Sequence, residues 1–171
     1  MQSTSFFAKM KGGGRSPLKA VPRTAILGFA GGFAAIALLG LLTDWTSAAW
    51  IMAPFGASCV LVFVAWDAPL SQPRNVVGGH LVSTVVGLTV FHSGGSGIWA
   101  VALAVGLAIG AMVLTRTTHP PAGANPIVVM MAGSGWTFLI APVLVGSLMI
   151  VFAGLVINNL DEKRKYPQFW L

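Results

Sequence analysis

Pro54-Phe55-Gly56-Ala57-Ser58 and Pro121-Ala122-Gly123-Ala124-Asn125 are two copies of one pattern, Pro-x-Gly-Ala followed by a small polar residue. The first opens a short apolar piece over residues 51–66 and the second a similar piece over 121–132. Each piece follows one longer apolar run and precedes another, so the chain divides near residues 93–97 into halves with the same order of elements. That order predicts an internal repeat of three elements per half.

The longer runs cover residues 24–42, 76–91, 98–115 and 136–160. A helix crossing a bilayer needs roughly 20 predominantly apolar residues, and these four approach or meet that length. Of 171 residues, 56% are hydrophobic and 8% charged, where a soluble domain carries about a quarter charged residues. Between Thr24 and Leu160 the formally charged side chains are Asp44, Asp67, Arg74 and Arg116. The expected fold is therefore all-α: a polytopic membrane helix bundle of four long helices plus two short or broken ones. Its membrane domain spans 24–160, with halves at about 24–92 and 98–160. A basic cytoplasmic segment over 1–23 precedes it, and a cytoplasmic tail over 161–171 follows. The first run lacks a small-residue cleavage site and is expected to stay as a helix.

Charge sets the expected orientation, because cytoplasmic loops carry the excess of Lys and Arg. Lys9, Lys11, Arg15, Lys19 and Arg23 precede the first run, and Lys163, Arg164 and Lys165 follow the last, which puts both termini inside. If the short pieces cross completely, six crossings bring the loops of Arg74 and Arg116 to that same side. If they are re-entrant, four crossings leave both arginines outside. The rule favours six, three per half, so the second half enters the membrane inverted. Inverted repeats commonly place a substrate near the midplane, facing the positive N-terminal ends of discontinuous helices. Pro54 and Pro121 suit such helix starts, and Gly56 and Gly123 would let a backbone or ligand come close. Gly28 with Gly32, and Gly106 with Gly110, have the spacing of close helix packing in lipid. Trp45, Trp50, Trp66, Trp99 and Trp136 fall near the ends of the runs, where an interfacial belt is expected.

Two constellations could carry chemistry. Arg116-Thr117-Thr118-His119-Pro120-Pro121-Ala122-Gly123-Ala124-Asn125 joins a cation, two hydroxyls and an imidazole to a helix start, the ingredients of an anion cradle. Gln72-Pro73-Arg74-Asn75, followed by Gly78-Gly79-His80, puts an imidazole about one turn into a membrane helix, where polar groups face the bundle interior or a water-filled path. His92, beside a glycine and serine loop, is expected at the interface.

These motifs, with Ala53-Pro54-Phe55-Gly56-Ala57-Ser58, resemble the HPP family of small integral membrane proteins, named for its His-Pro-Pro motif; the likeness spans about residues 22–160. The resemblance implies a bundle usually described as having four membrane helices, with nitrite transport linked to cyanobacterial and plastid members. It carries a substrate path onto Pro54, Gly56, Ser58, Gln72, Arg74, Asn75, Gly79, His80, His119, Pro120, Pro121 and Gly123, to which the residues themselves add Arg116 and Asn125. Asn125-Pro126 departs from the family pattern of threonine and a non-proline residue, so a kink is expected in the second short helix.

The expected function is a transporter or channel for a small inorganic anion, most simply nitrite, in a bacterial inner membrane. The alternative is a non-transporting scaffold or subunit of a membrane complex. Its expected partners are the lipid bilayer and the anion, not nucleic acid, because the basic residues flank lipid-length runs and form no surface patch; association into a homo-oligomer is left open. An enzyme is not expected: three scattered histidines and the single Cys59 give no metal spacing, and no carboxylate pair lies at membrane depth. No cofactor, metal or disulfide is expected either.

Overall fold

The computed structural model describes residues 6–11, 14–46 and 48–171; of the basic segment 1–23, residues 1–5 and 12–13 lie outside these. The described residues form helices and no strand. After a short exposed helix α1 (Phe6–Met10), the chain makes α2 (Pro22–Thr46), α3 (Ala53–Val64), α4 (Pro73–Gly94), α5 (Ile98–Leu114), α6 (Asn125–Ala132) and α7 (Val145–Asn159). Single 3-10 turns precede α4 (Pro69–Ser71) and α6 (Pro120–Ala124). The order long, short, long thus occurs twice.

Proline punctuates this plan. Pro54, Pro73 and Pro126 each sit in the first turn of a helix, where the absent N–H would have no partner in any case. Gln72 before Pro73 is extended, at φ −75° and ψ 155°, the conformation a following proline imposes. Gly95, at φ +80°, ends α4.

Cross-chain bonds fix which loops share an end of the bundle. Arg23 pairs with Asp161, the Tyr166 hydroxyl donates to Ser71 O at 2.9 Å, and Gln168 N to Gln72 Oε1 at 2.7 Å. Arg74 donates to Thr115 O at 3.3 Å and Asn75 to Thr118 O at 2.9 Å. One end therefore holds the start of α2, the loops at 65–72 and 115–119, and the tail after α7. At the other end His92 stacks on Trp136, with centroids 6.0 Å apart. All six principal elements run between these ends, and the second half is inverted relative to the first. Three helical stretches, Pro22–Thr46, Pro73–Gly94 and Trp136–Asn159, are long and apolar enough to cross a bilayer, whereas the twelve residues of α3 give about 18 Å, well short of a hydrocarbon core of about 30 Å.

Small residues bring the helices together. A Cβ on Gly28 would stand 3.0 Å from Val64, one on Gly87 2.8 Å from Pro126 Cα, and one on Gly79 2.7 Å from both His119 Cβ and Thr117 O. The rings of Phe63 and Phe55 occupy the space that a Cβ on Gly31 and Gly146 would need. Such contacts replace the hydrophobic driving force that helices in lipid lack. Outward, α2 presents Phe29 and Phe33 and α5 presents Leu103, Leu107 and Val113, an apolar surface suited to acyl chains.

Several expectations need correction. The run over 136–160 is long and apolar enough to span, as expected, over Trp136–Asn159, but it is kinked: a 3-10 turn (Trp136–Leu139) opens it and Ala141 is extended at φ −128° before α7, because Pro142 has no N–H to continue the ladder. Gly106 and Gly110 are exposed with nothing in reach of a Cβ, as are Gly56 and, half-buried, Gly123; these four make no close approach. Trp50 is buried, its indole donating to Thr46 at 2.6 Å, whereas Trp45, Trp99 and Trp136 are exposed. Arg164 is buried too: it donates to Phe63 O and to Asn158 Oδ1, both at 2.8 Å, and lies over the Trp66 ring.

Candidate functional site

The two short segments start from opposite ends of the bundle and meet in its interior. Ser58 faces inward from α3, one turn beyond Pro54. His119, extended at φ −138° and ψ 101°, immediately precedes Pro120. Ser58 Oγ stands 2.8 Å from His119 Nε2 and 2.8 Å from His80 Nε2, and 3.0 Å from Pro54 O. The two imidazole centroids are 5.2 Å apart, and the Phe55 ring packs edge-on against His80. Ser58, His80 and His119 are fully buried.

Each ring is held from behind. His119 Nδ1 lies 2.8 Å from Leu70 O. His80 Nδ1 faces Asn125, whose Nδ2 is 3.0 Å and Oδ1 3.2 Å away. Asn125 Nδ2, with two hydrogens to give, also lies 2.8 Å from Thr84 Oγ1 and 3.2 Å from His80 O, while Ser83 Oγ donates to Ala122 O at 2.6 Å. A polar cluster this deep is tolerated in a membrane bundle only with its groups paired; among the described residues the one buried side-chain atom without a partner is Ser71 Oγ, outside the cluster.

The structure thus brings together Pro54, Ser58, His80, His119 and Asn125, with Pro121 buried beside them. Gly79 belongs to this group as the surface on which His119 rests. Gln72, Arg74 and Asn75 do not reach the histidines. Gln72 donates to Trp66 O and Ala68 O, both at 3.0 Å, and so folds its own loop, while Arg74 and Asn75 tie α4 to the turn that carries His119. Arg116 is exposed, at φ +58°, and Pro120 is exposed as well, so the guanidinium groups stand at the rim of the bundle rather than beside the imidazoles. The expected break at Asn125-Pro126 is the change from a 3-10 to an α-helical path between Ala124 and Asn125.

Ser83, Thr84 and the Leu70 carbonyl were not anticipated. Ser83 and Thr84 lie three and four places after His80, the spacing that stacks side chains on one helix face, and that signal could have found them. Leu70 O could not have been found from local sequence. A second polar cluster, also unanticipated, lies at the end of the bundle that holds the start of α2 and the tail after α7. There the tail clasps the 65–72 loop through Arg164 over Trp66, Tyr166 on Ser71 O and Gln168 on Gln72, while Asp161 pairs with Arg23 and Arg164. The Lys163 N–H, then Arg23 and Arg164, hold the Asp161 carboxyl below its ordinary range, and burial pushes the Tyr166 phenol up. A cavity of about 210 Å³ at the opposite end is lined by Trp50, Ser134, Phe138 and Pro142.

Known proteins similar to this chain are described as membrane proteins. It is 37% identical over 177 residues to the Dictyostelium discoideum protein "Transmembrane protein DDB_G0273707/DDB_G0273361", covering 96% of this chain and 57% of the relative. It is 37% identical over 128 residues to "Transmembrane protein DDB_G0269096" of the same organism, covering 70% of this chain and 45% of the relative. The chain therefore spans about half the length of these relatives. No solved structure matches it. The family model described as "HPP, transmembrane region" matches residues 17–167.

Proposed function

This chain belongs to the HPP transmembrane family, and from that membership together with the geometry of its two short helices we propose that it is a transporter or channel for a small inorganic anion, nitrite by the family resemblance. One observation carries this reading: Ser58 Oγ lies 2.8 Å from both His119 Nε2 and His80 Nε2, joining segments that enter from opposite ends around a buried polar centre. Intramembrane polar residues of this kind mark substrate and ion routes, and helix starts favour negative charge. Arg74 and Arg116 at the rim, with no carboxylate among the residues of the centre, favour the approach of an anion. In this reading both termini are cytoplasmic.

The test is flux. Purified protein in liposomes should pass nitrite faster than empty liposomes, and Arg74→Gln or Arg116→Gln should slow passage while folded protein is retained. Wild-type vesicles no faster than empty ones would refute the reading. A second reading, a non-transporting scaffold, draws on Gly106 and Gly110, whose exposed face on α5 has nothing in reach; that reading requires a partner membrane protein to co-purify with the chain and transport to be absent.

A further inference from the structure

Counting hydrogens in the buried centre leads further than the distances do. Leu70 O can only accept, so the facing His119 Nδ1 carries hydrogen. With His119 neutral, its Nε2 is bare and must receive the Ser58 hydroxyl hydrogen. Ser58 Oγ in turn accepts from His80 Nε2–H, and of the two Asn125 amide hydrogens one goes to the bare His80 Nδ1 and the other to Thr84 Oγ1. Every ring nitrogen is thereby paired with both histidines neutral. Pro54 O, 3.0 Å from Ser58 Oγ, takes the Ser58 N–H as part of α3, and its second lone pair is what this scheme leaves unused.

Adding one proton brings that second lone pair into use. If His119 Nε2 gains hydrogen, it donates to Ser58 Oγ alongside His80 Nε2–H, and the hydroxyl turns to donate to Pro54 O. Again every donor has an acceptor, and no other group moves. A buried network that stays fully paired in two protonation states is unusual, since removing or adding one hydrogen normally strands a partner.

We propose that this trio is a one-proton site: His119 takes up a proton, and Ser58 admits it by turning its hydroxyl from His119 to the Pro54 carbonyl. A hydronium ion, or the protonated acid of the anion, supplies the proton and leaves as water or the free anion; one N–H bond forms at His119 Nε2. The resulting imidazolium places a positive charge where the two short segments meet, a position that the rim guanidiniums do not reach. Coupling of one proton to one anion rests on the anion-transport reading; the proton site itself rests on the hydrogen count. The groups facing the pair are Ser58 from α3, Ser83 and Thr84 from α4, Asn125 from α6 and the Leu70 carbonyl. Cys59, next along α3, turns toward Gly32. Of the charged residues on adjoining segments, Asp67, Arg74 and Arg116, none bonds to either ring, and Asp44 lies at the far end of α2.

Solid-state NMR of 15N-histidine protein in lipid bilayers tests the site directly. On the alkaline side His119 should carry hydrogen on Nδ1 and His80 on Nε2. On acidification His119 should gain its second hydrogen before His80 does, and Ser58→Ala should change that titration whereas Ser58→Thr should not. A neutral His119 with hydrogen on Nε2, protonation of His80 first, or an unaltered Ser58→Ala titration would each overturn the proposal. In liposomes holding an internal pH dye, nitrite entry should acidify the lumen by one proton per anion beyond the background of empty vesicles. Ser58→Ala should reduce that coupled flux by about tenfold, the scale of one lost buried hydrogen bond. Nitrite flux without acidification would refute coupling and leave anion transport standing. Absence of flux in the wild type would refute the transport reading, with the ring titration still deciding the proton site.

Discussion

The two buried polar clusters, the histidine centre and the tail clasp, solve the same cost of burial in opposite ways. In the clasp, donors end mostly on backbone carbonyls: Arg164 on Phe63 O, Tyr166 on Ser71 O, Gln72 on Trp66 O and Ala68 O. Its charges are matched, with Asp161 between Arg23 and Arg164. Such a cluster has one arrangement of hydrogens. The centre instead hangs two imidazoles on a single hydroxyl, whose hydrogen has two places to go. Pairing to backbone locks a structure, while pairing among titratable side chains leaves it a choice.

The comparison breaks first at Gly79, the residue on which the centre is built. Gly79→Ala would drive a methyl group into His119 and Thr117 O, and overpacking of this kind costs about 1–3 kcal/mol. Thermal unfolding in detergent should register that loss, and nitrite flux should fall with it. An unchanged midpoint would mean that the turn at 115–119 does not rest on α4 as described. Next in size is Arg164→Gln, which removes the donor to Phe63 O and Asn158 Oδ1 and one of the two cations facing Asp161. Amide exchange at residues 70–72 should quicken while the histidine tautomers stay as they are; if both clusters loosen together, they are one unit.

Acid should separate the clusters by a milder route. Because Asp161 has a folded pKa below its unfolded value, its contribution is full above the unfolded carboxylate range, near about 3.9, and is lost as pH falls through the lower folded value. Exchange at residues 161–168 should therefore stay slow down to that range and rise only beneath it, and Asp161→Asn should abolish the dependence. The smallest effect is expected at Gly56→Ala, which meets open space and should change stability by no more than about 0.5 kcal/mol. A larger loss would show that this face is covered by another chain.

Much of the plan was legible because its signals are local. Proline marked the starts of the short helices, run length marked the long ones, and the shared sign of the loop charges agrees with Arg74, Arg116 and both tails lying at one end. His80 was found because an imidazole inside an apolar run needs partners. Other features depend on segments far apart in sequence. Arg164 looks like any basic residue after a membrane helix, and only the carbonyls at the end of α3, some hundred residues earlier, account for its burial. The break at Ala141 was hidden because apolar composition is the same in a straight helix and a broken one, although Pro142 offered the clue. Gly56, Gly106 and Gly110 show the reverse limit: glycine permits close packing, and only a neighbour in the folded bundle makes use of it.

The clasp also orders events during synthesis. Residues 161–168 leave the ribosome after all six principal helices, yet they bond to the 65–72 loop whose Leu70 carbonyl orients His119. Until they emerge, that loop is held from within by Gln72, and the two bonds from the tail are the last that it receives.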